Sequence, residues 1–170
     1  MKFSCILSII VLIFLTYTNL GFSSEIDKSV KIDRILVEKS KRLLHIYSND
    51  KLLKTYKISL GKNPVGAKKY AGDNKTPEGK YYIDKKIRNS SYHKTLQISY
   101  PNEKDKKETS KSGKNPGGQI GIHGLKNNEK KIRNIHLKSD WTMGCIALTN
   151  EEIDELFDIV EIGTIVEIVP

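Results

Sequence analysis

Cysteine is nearly absent from this chain, whose 170 residues contain only Cys5 and Cys145. So few thiols, one of them in an apolar N-terminal stretch, exclude an internal disulfide framework and leave a partner disulfide, an inert buried thiol or a reactive one. Tryptophan occurs once, at Trp141, and methionine only at Met1 and Met143. Aromatic residues make up 8% and do not line up with the lysines as a stacking stripe, so nucleic acid is not the expected partner. Acidic side chains are the scarcer charge, 20 against 29 basic ones, for a formal net charge of +9. That surplus reads first as a solvated surface and second as attraction to an anionic polymer.

Long apolar runs are missing too, apart from Cys5 to Leu15. This run follows Lys2, is short for a membrane span, and gives way to the small residues Gly21, Ser23 and Ser24. Residues 1–24 therefore read as a secretory signal, and residues 25–170 as one exported domain in the periplasm or cell envelope. Cys5 leaves with the signal, so Cys145 is the single thiol of the mature chain. At 38% hydrophobic and 29% charged, that chain has the composition of one globular core, and no internal repeat is visible.

The pattern is mostly β. Arg34 to Val37, Leu43 to Tyr47 and Leu52 to Leu60 predict an antiparallel meander with turns near Ser40 and Asn49, and His45 reads as a half-buried packing residue of the second strand. Gly61 to Ile83 is a loop rich in Gly and Pro, in which Thr76-Pro77-Glu78-Gly79 predicts a turn before a strand at Tyr81 to Ile83. Thr95 to Tyr100 alternates as a strand, and the charged run Glu103 to Lys114 predicts an exposed, mobile loop. Further strands are expected at Gln119 to His123, Cys145 to Leu148 and Ile165 to Val169, with a loop or short helix over Asn127 to Ile135. Thr149 and Glu152 form a capping-box pattern, and Ile153, Leu156, Phe157 and Val160 recur at helical spacing. The expected fold is mainly β, with a helix after the Cys145 strand.

Chemistry concentrates between Gly117 and Leu148. A thiol is a nucleophile as thiolate and needs a base, which His123 supplies if its strand lies near that of Cys145. The Gly124 carbonyl can accept the second imidazole N–H, and the amides of Met143, Gly144 and Cys145 can face one oxyanion. His123, His136 and Cys145 are also three possible zinc ligands, with Asp140 the acidic candidate close by, but their spacing matches no common zinc pattern. Trp141 reads equally as core or as cleft wall, His136 as a cleft residue, and Asp140 as a holder of the Cys145 loop or a surface group.

These residues resemble the YkuD-type L,D-transpeptidases, cysteine enzymes of bacterial cell walls. Ile122-His123-Gly124 and Thr142-Met143-Gly144-Cys145 stand where that family carries His-Gly and Ser/Thr-His-Gly-Cys. Asp140 to Ala147 matches the branch with an Asp-Trp-Thr-x-Gly-Cys-Ile-Ala loop, as do Gly61 to Gly66, Gly72 to Ile83 and Ser99 to Asn102. The resemblance implies a β-rich catalytic domain in which Cys145 is nucleophile, His123 base and acid, Gly124 its orienter, and Met143, Gly144 and Cys145 the oxyanion hole. His136, Trp141 and Asp140 are the candidate substrate contacts.

The implied substrate is a peptidoglycan stem peptide, attacked at its L-centre diamino acid with release of D-Ala and crosslinking to a second stem, without cofactor or metal. Met143 replaces the usual His, and Ala147 stands where many members carry Arg or Asn. The branch also includes hydrolases that trim the stem or release wall-attached lipoprotein. A wall-binding module that keeps the fold without turnover is the reading from another class.

Overall fold

The computed structural model describes Ile26 and residues 29–170, so the expected signal over 1–24 lies outside the described residues. Among the described residues there are eight strands, β1 (Arg34–Glu38), β2 (Leu43–Ser48), β3 (Lys51–Lys57), β4 (Gly79–Ser90), β5 (His93–Ile98), β6 (Gly121–His123), β7 (Ile146–Ala147) and β8 (Ile165–Val169). Three helices join them, α1 (Glu103–Ser110), α2 (Lys130–Ile135) and α3 (Asn150–Ile159). The mainly β expectation holds.

The strand order is β3-β2-β1-β8-β4-β5-β6-β7, antiparallel except for β1 beside β8 and β6 beside β7. β4 is the hinge of the sheet, with Gly79 to Tyr82 paired to β8 and Ile83 to Ser90 paired to β5. Past β3, Ser59 exchanges backbone hydrogen bonds with Ala147 at 3.0 and 2.8 Å, so the two ends of the strand order meet.

Alternation decides which face is buried. Ile35 and Val37 of β1, Val166 and Ile168 of β8, Tyr81 and Ile83 of β4, and Leu96 and Ile98 of β5 all point into one core. α3 closes it with Ile153, Leu156 and Phe157, and the Thr149–Glu152 capping box is formed in both directions. Glu155 fastens the same helix to β3, accepting from Lys54 Nζ at 2.7 Å and Tyr56 Oη at 3.0 Å.

Two expectations are corrected. The charged run after Pro101 is helical, not a loop, because Asn102 and Asp105 make a reciprocal capping box and Thr109 Oγ1 docks on the Lys69 carbonyl at 2.8 Å. A helix held by polar contacts leaves no apolar stripe for a sequence pattern to reveal. Thr76 to Glu78 does not form the expected turn; buried Lys39 donates to Gly66 O, Thr76 O and Glu78 Oε1 and so holds that segment in place. His45 meets its expected packing role, buried between Thr55 Oγ1 and Glu38 Oε2, each 2.8 Å away.

Leu156 is wholly buried beneath the sheet. Leu156→Ala is expected to lower unfolding free energy by about 2–5 kcal/mol in urea titration; a loss below about 1 kcal/mol would mean that α3 does not close this core.

Candidate active site

Parallel pairing of β6 with β7 sets Ile122 opposite Ile146 and His123 opposite Ala147. Cys145, the residue before β7, therefore leads into the strand next to that of His123, two residues before that histidine's partner Ala147. The thiol is half-buried and donates to the Gln119 carbonyl at 3.7 Å.

His123 is 3% exposed, and its Nδ1–H donates to the Gly124 carbonyl at 2.7 Å. A carbonyl only accepts, so the tautomer is fixed and Nε2 keeps its lone pair. Burial drives the imidazole pKa down to about 4, against the Gly124 hydrogen bond, which raises it, and with help from His136. Burial also pushes the Cys145 thiol up, while the Gly121 amide and the Lys68 ammonium favour its ionised form. At neutral pH the resting pair is a neutral thiol and a neutral base.

The orienting carbonyl is itself held by α3. Asn150 Oδ1 accepts from Leu125 N at 2.8 Å, and a Cβ on Gly124 would stand 2.7 Å from that oxygen and 3.0 Å from Ile153. Gly124 is thus a packing glycine, and Asn150, which sequence reasoning did not single out, is a positioning group.

The Cys145 loop is clamped by Thr142, whose Oγ1 accepts from Gly144 N at 3.1 Å and donates to Cys145 O at 2.7 Å. Of the three amides expected to face an oxyanion, that of Gly144 is thus engaged inside the loop. Lys62 N donates to Thr142 O at 3.0 Å and Thr142 N to Leu60 O at 3.1 Å, which dock the loop after β3 beside it.

The other candidates separate. Trp141 is buried with Leu125 and Ala147 and presents itself edge-on to His123, ring centroids 5.8 Å apart. It is both core and wall. His136 stands behind it, taking the indole N–H on Nδ1 at 3.4 Å near Ser59 Oγ at 3.3 Å, with its Nε2 buried and unpartnered. Asp140 is a loop anchor, accepting from Leu60 N at 2.9 Å and Arg42 Nη2 at 2.8 Å. These contacts tie His136 and Asp140 into the frame around the Cys145 loop.

Tyr92, which sequence reasoning missed, packs on His123 with ring centroids 4.4 Å apart and stacks beside Trp141 at 6.3 Å. Its position just ahead of β5 carries no local signal. Ala147 is fully buried against Trp141, so the side chain that many relatives carry at this position has no room here. Met143, by contrast, is 70% exposed. Among the described residues no three His, Cys, Asp or Glu side chains gather as a metal-binding group, so the zinc candidates do not converge.

Fold and site together define a β-sheet domain that presents a thiol and a neutral imidazole on adjacent parallel strands. The family model described as the L,D-transpeptidase catalytic domain, YkuD, matches residues 32–168, and the chain belongs to that family. YafK of Escherichia coli K12, provisionally named an L,D-transpeptidase, is 32% identical over 132 residues that cover 74% of this chain and 46% of YafK. The helical cell shape determining protein Pgp2 of Campylobacter jejuni superposes with a TM-score of 0.62 at 27% identity, over 86% of this chain and 52% of Pgp2. The L,D-transpeptidase LdtMt1, solved in complex with imipenem, shares the fold with a TM-score of 0.53 at 19% identity, over 81% and 59% of the two chains. This chain spans about half the length of YafK and Pgp2.

Two outcomes test the geometry. Gly144 has φ +135°, and a Cβ there would meet the Lys75 carbonyl at 2.7 Å. Gly144→Ala should cost about 1–3 kcal/mol of stability, and an unchanged melting curve would refute that contact. Because His123 is depressed when folded, the unfolded chain binds the extra proton between pH 6.5 and about 4. Stability should be complete above 6.5 and fall as pH drops through that window, by on the order of 3 kcal/mol. Urea midpoints between pH 7.5 and 5 isolate this loss from the carboxylates, and a slope unaltered in His123→Gln would assign it elsewhere.

Proposed function

We propose that this protein is an exported cysteine acyl-transferase acting on peptidoglycan stem peptides in the periplasm or cell envelope. Family membership supports the substrate class, and the leader pattern of residues 1–24 supports export. The observation that carries the chemistry is the 2.7 Å bond from His123 Nδ1 to the Gly124 carbonyl, which leaves a basic Nε2 one strand from the thiol.

Cys145 attacks the carbonyl of the L-centre diamino acid as its thiol proton passes to His123 Nε2. The new C–S bond places negative charge on the former carbonyl oxygen, facing the Met143 and Cys145 amides. Collapse breaks the C–N bond to D-Ala, whose amine leaves with the proton from His123, and a thioester remains. An amine of a second stem then gives its proton to His123 and attacks the thioester, and the departing sulfur takes that proton back. Trp141 and Tyr92 pack side by side against the imidazole, which is buried from water. The name of Pgp2 ties that protein to cell shape, and a role in wall biogenesis and shape is the corresponding proposal here.

A hydrolytic variant is the second reading, favoured by the exposed apolar Met143, which offers no polar hold for an acceptor amine. Water then resolves the thioester and yields a trimmed stem or a released wall-attached lipoprotein.

Mass spectrometry of residues 25–170 incubated with disaccharide-tetrapeptide separates these outcomes. Crosslinked dimers with loss of D-Ala are expected, and trimmed tripeptide alone would establish the hydrolase. Cys145→Ala should lose all turnover while melting within a few degrees of the parent. Product formed by that variant would remove Cys145 as nucleophile, and silence of the parent on stems and on lipoprotein-bearing wall would leave a binding module.

A further inference from the structure

The loop between β3 and β4 holds an ion pair that the reaction above does not use. Lys68 Nζ lies 2.8 Å from Asp73 Oδ1, with the two side chains 4% and 3% exposed. Withdrawing two charges from water is costly, and a turn can be held by neutral groups alone. Asp73 is accounted for by the turn itself, since its carboxylate accepts from the backbone of Lys69 at 2.7 Å, Tyr70 at 3.1 Å and Lys75 at 3.0 Å. The Lys68 ammonium adds to the turn a bond to the Tyr70 carbonyl at 3.1 Å, which a neutral donor would equally supply.

The surroundings of the pair give the charge a purpose. On one flank, the Lys75 carbonyl packs against Gly144, just before the nucleophile. On the other, Ala71 lies against Gly117 and its N–H donates to Asn115 O at 2.8 Å, on the segment that leads to Gln119, whose carbonyl holds the thiol. The pair is therefore built into the loop that grips both segments framing the sulfur. Among the charged and titratable groups around Cys145, His123 on β6 is neutral, and Lys75 turns its ammonium to the Val65 carbonyl. Asp140, at the start of the Cys145 loop, is paired with Arg42.

We infer that Lys68 is a positioning residue for the nucleophile: a buried cation, locked by Asp73 in the loop that packs on Gly144, which stabilises the negative charge developing on Cys145. It acts through the electric field and does not touch substrate. The direction of its effect on the thiol, downward against burial, agrees with this. A low-dielectric surrounding strengthens the field of an enclosed charge relative to that of lysines screened by solvent. The inference rests on Cys145 being the nucleophile, but its test needs no substrate.

The test is the pH dependence of Cys145 alkylation by iodoacetamide, followed by intact mass on residues 25–170, with melting curves alongside. Lys68→Met should move the midpoint upward by about 0.5–1 pH unit and slow alkylation at pH 7 by roughly three- to tenfold. Lys68→Arg should restore most of the rate. Asp73→Asn, which removes the counter-charge, should move the midpoint downward. Loss of loop structure alone would shift both variants in the same direction, so opposite shifts read the charge. A folded Lys68→Met with the parent midpoint, or shifts of one sign in Lys68→Met and Asp73→Asn, would overturn the inference. If Lys68→Met fails to fold, a midpoint in Asp73→Asn that stays or rises does the same. A parent that alkylates normally yet makes no product from any wall substrate counts against the proposed reaction and leaves the role of Lys68 standing.

Discussion

Two residues of β7 carry the architecture of the site. Ile146 and Ala147 pair with β6 on one side, and Ala147 bonds Ser59 on the other. Strands this short have little stability alone, so their position depends on being bounded on both edges and roofed by α3. Cys145 precedes the first of these residues, and His123 faces the second across the ladder. Any slip of one residue would turn every side chain of the pair to the opposite face and separate thiol from base.

Close backbone contact supplies the remaining precision. A Cβ on Gly61 would stand 2.2 Å from the Asn74 carbonyl, one on Gly144 2.7 Å from the Lys75 carbonyl, and one on Gly124 2.7 Å from Asn150 Oδ1, so no side chain fits at any of the three. These three contacts bring the loop after β3, the Cys145 loop and the start of α3 into one rigid frame. Within it, polar groups are bonded inward, as with Thr142 across the Cys145 turn and Asp140 to Leu60 N. His136 Nε2 is the exception, a buried nitrogen without a partner beside Trp141.

Burial decides the electrostatics more than pairing does. It lowers His123 and raises Cys145, so at neutral pH both side chains rest uncharged. The fixed positive influences on the sulfur are a backbone amide, Gly121, and one enclosed ammonium, Lys68. The same logic holds for Lys39, bonded to the Thr76 carbonyl and to Glu78, where burial pulls its pKa down and the Glu78 carboxylate opposes that.

Sequence alone determined the elements whose signal is local. Alternating apolar residues marked β1, β2, β4, β5 and β8; the Thr149–Glu152 box with Ile153, Leu156 and Phe157 marked α3; and His-Gly with Gly-Cys marked the thiol and its base. These rest on periodicity and side-chain chemistry, which neighbours along the chain reveal. Only the tertiary structure decided what depends on distant partners. Thr109 docks α1 on the Lys69 carbonyl, Lys39 holds the Thr76 to Glu78 segment where a turn was expected, and Asp140 is an anchor because Arg42 and Leu60 N reach it. Tyr92 over His123 and Lys68 with Asp73 beside the Cys145 loop belong to the same group. Long-range contacts of this kind leave no trace in spacing, because the chain meets itself only after the sheet has formed.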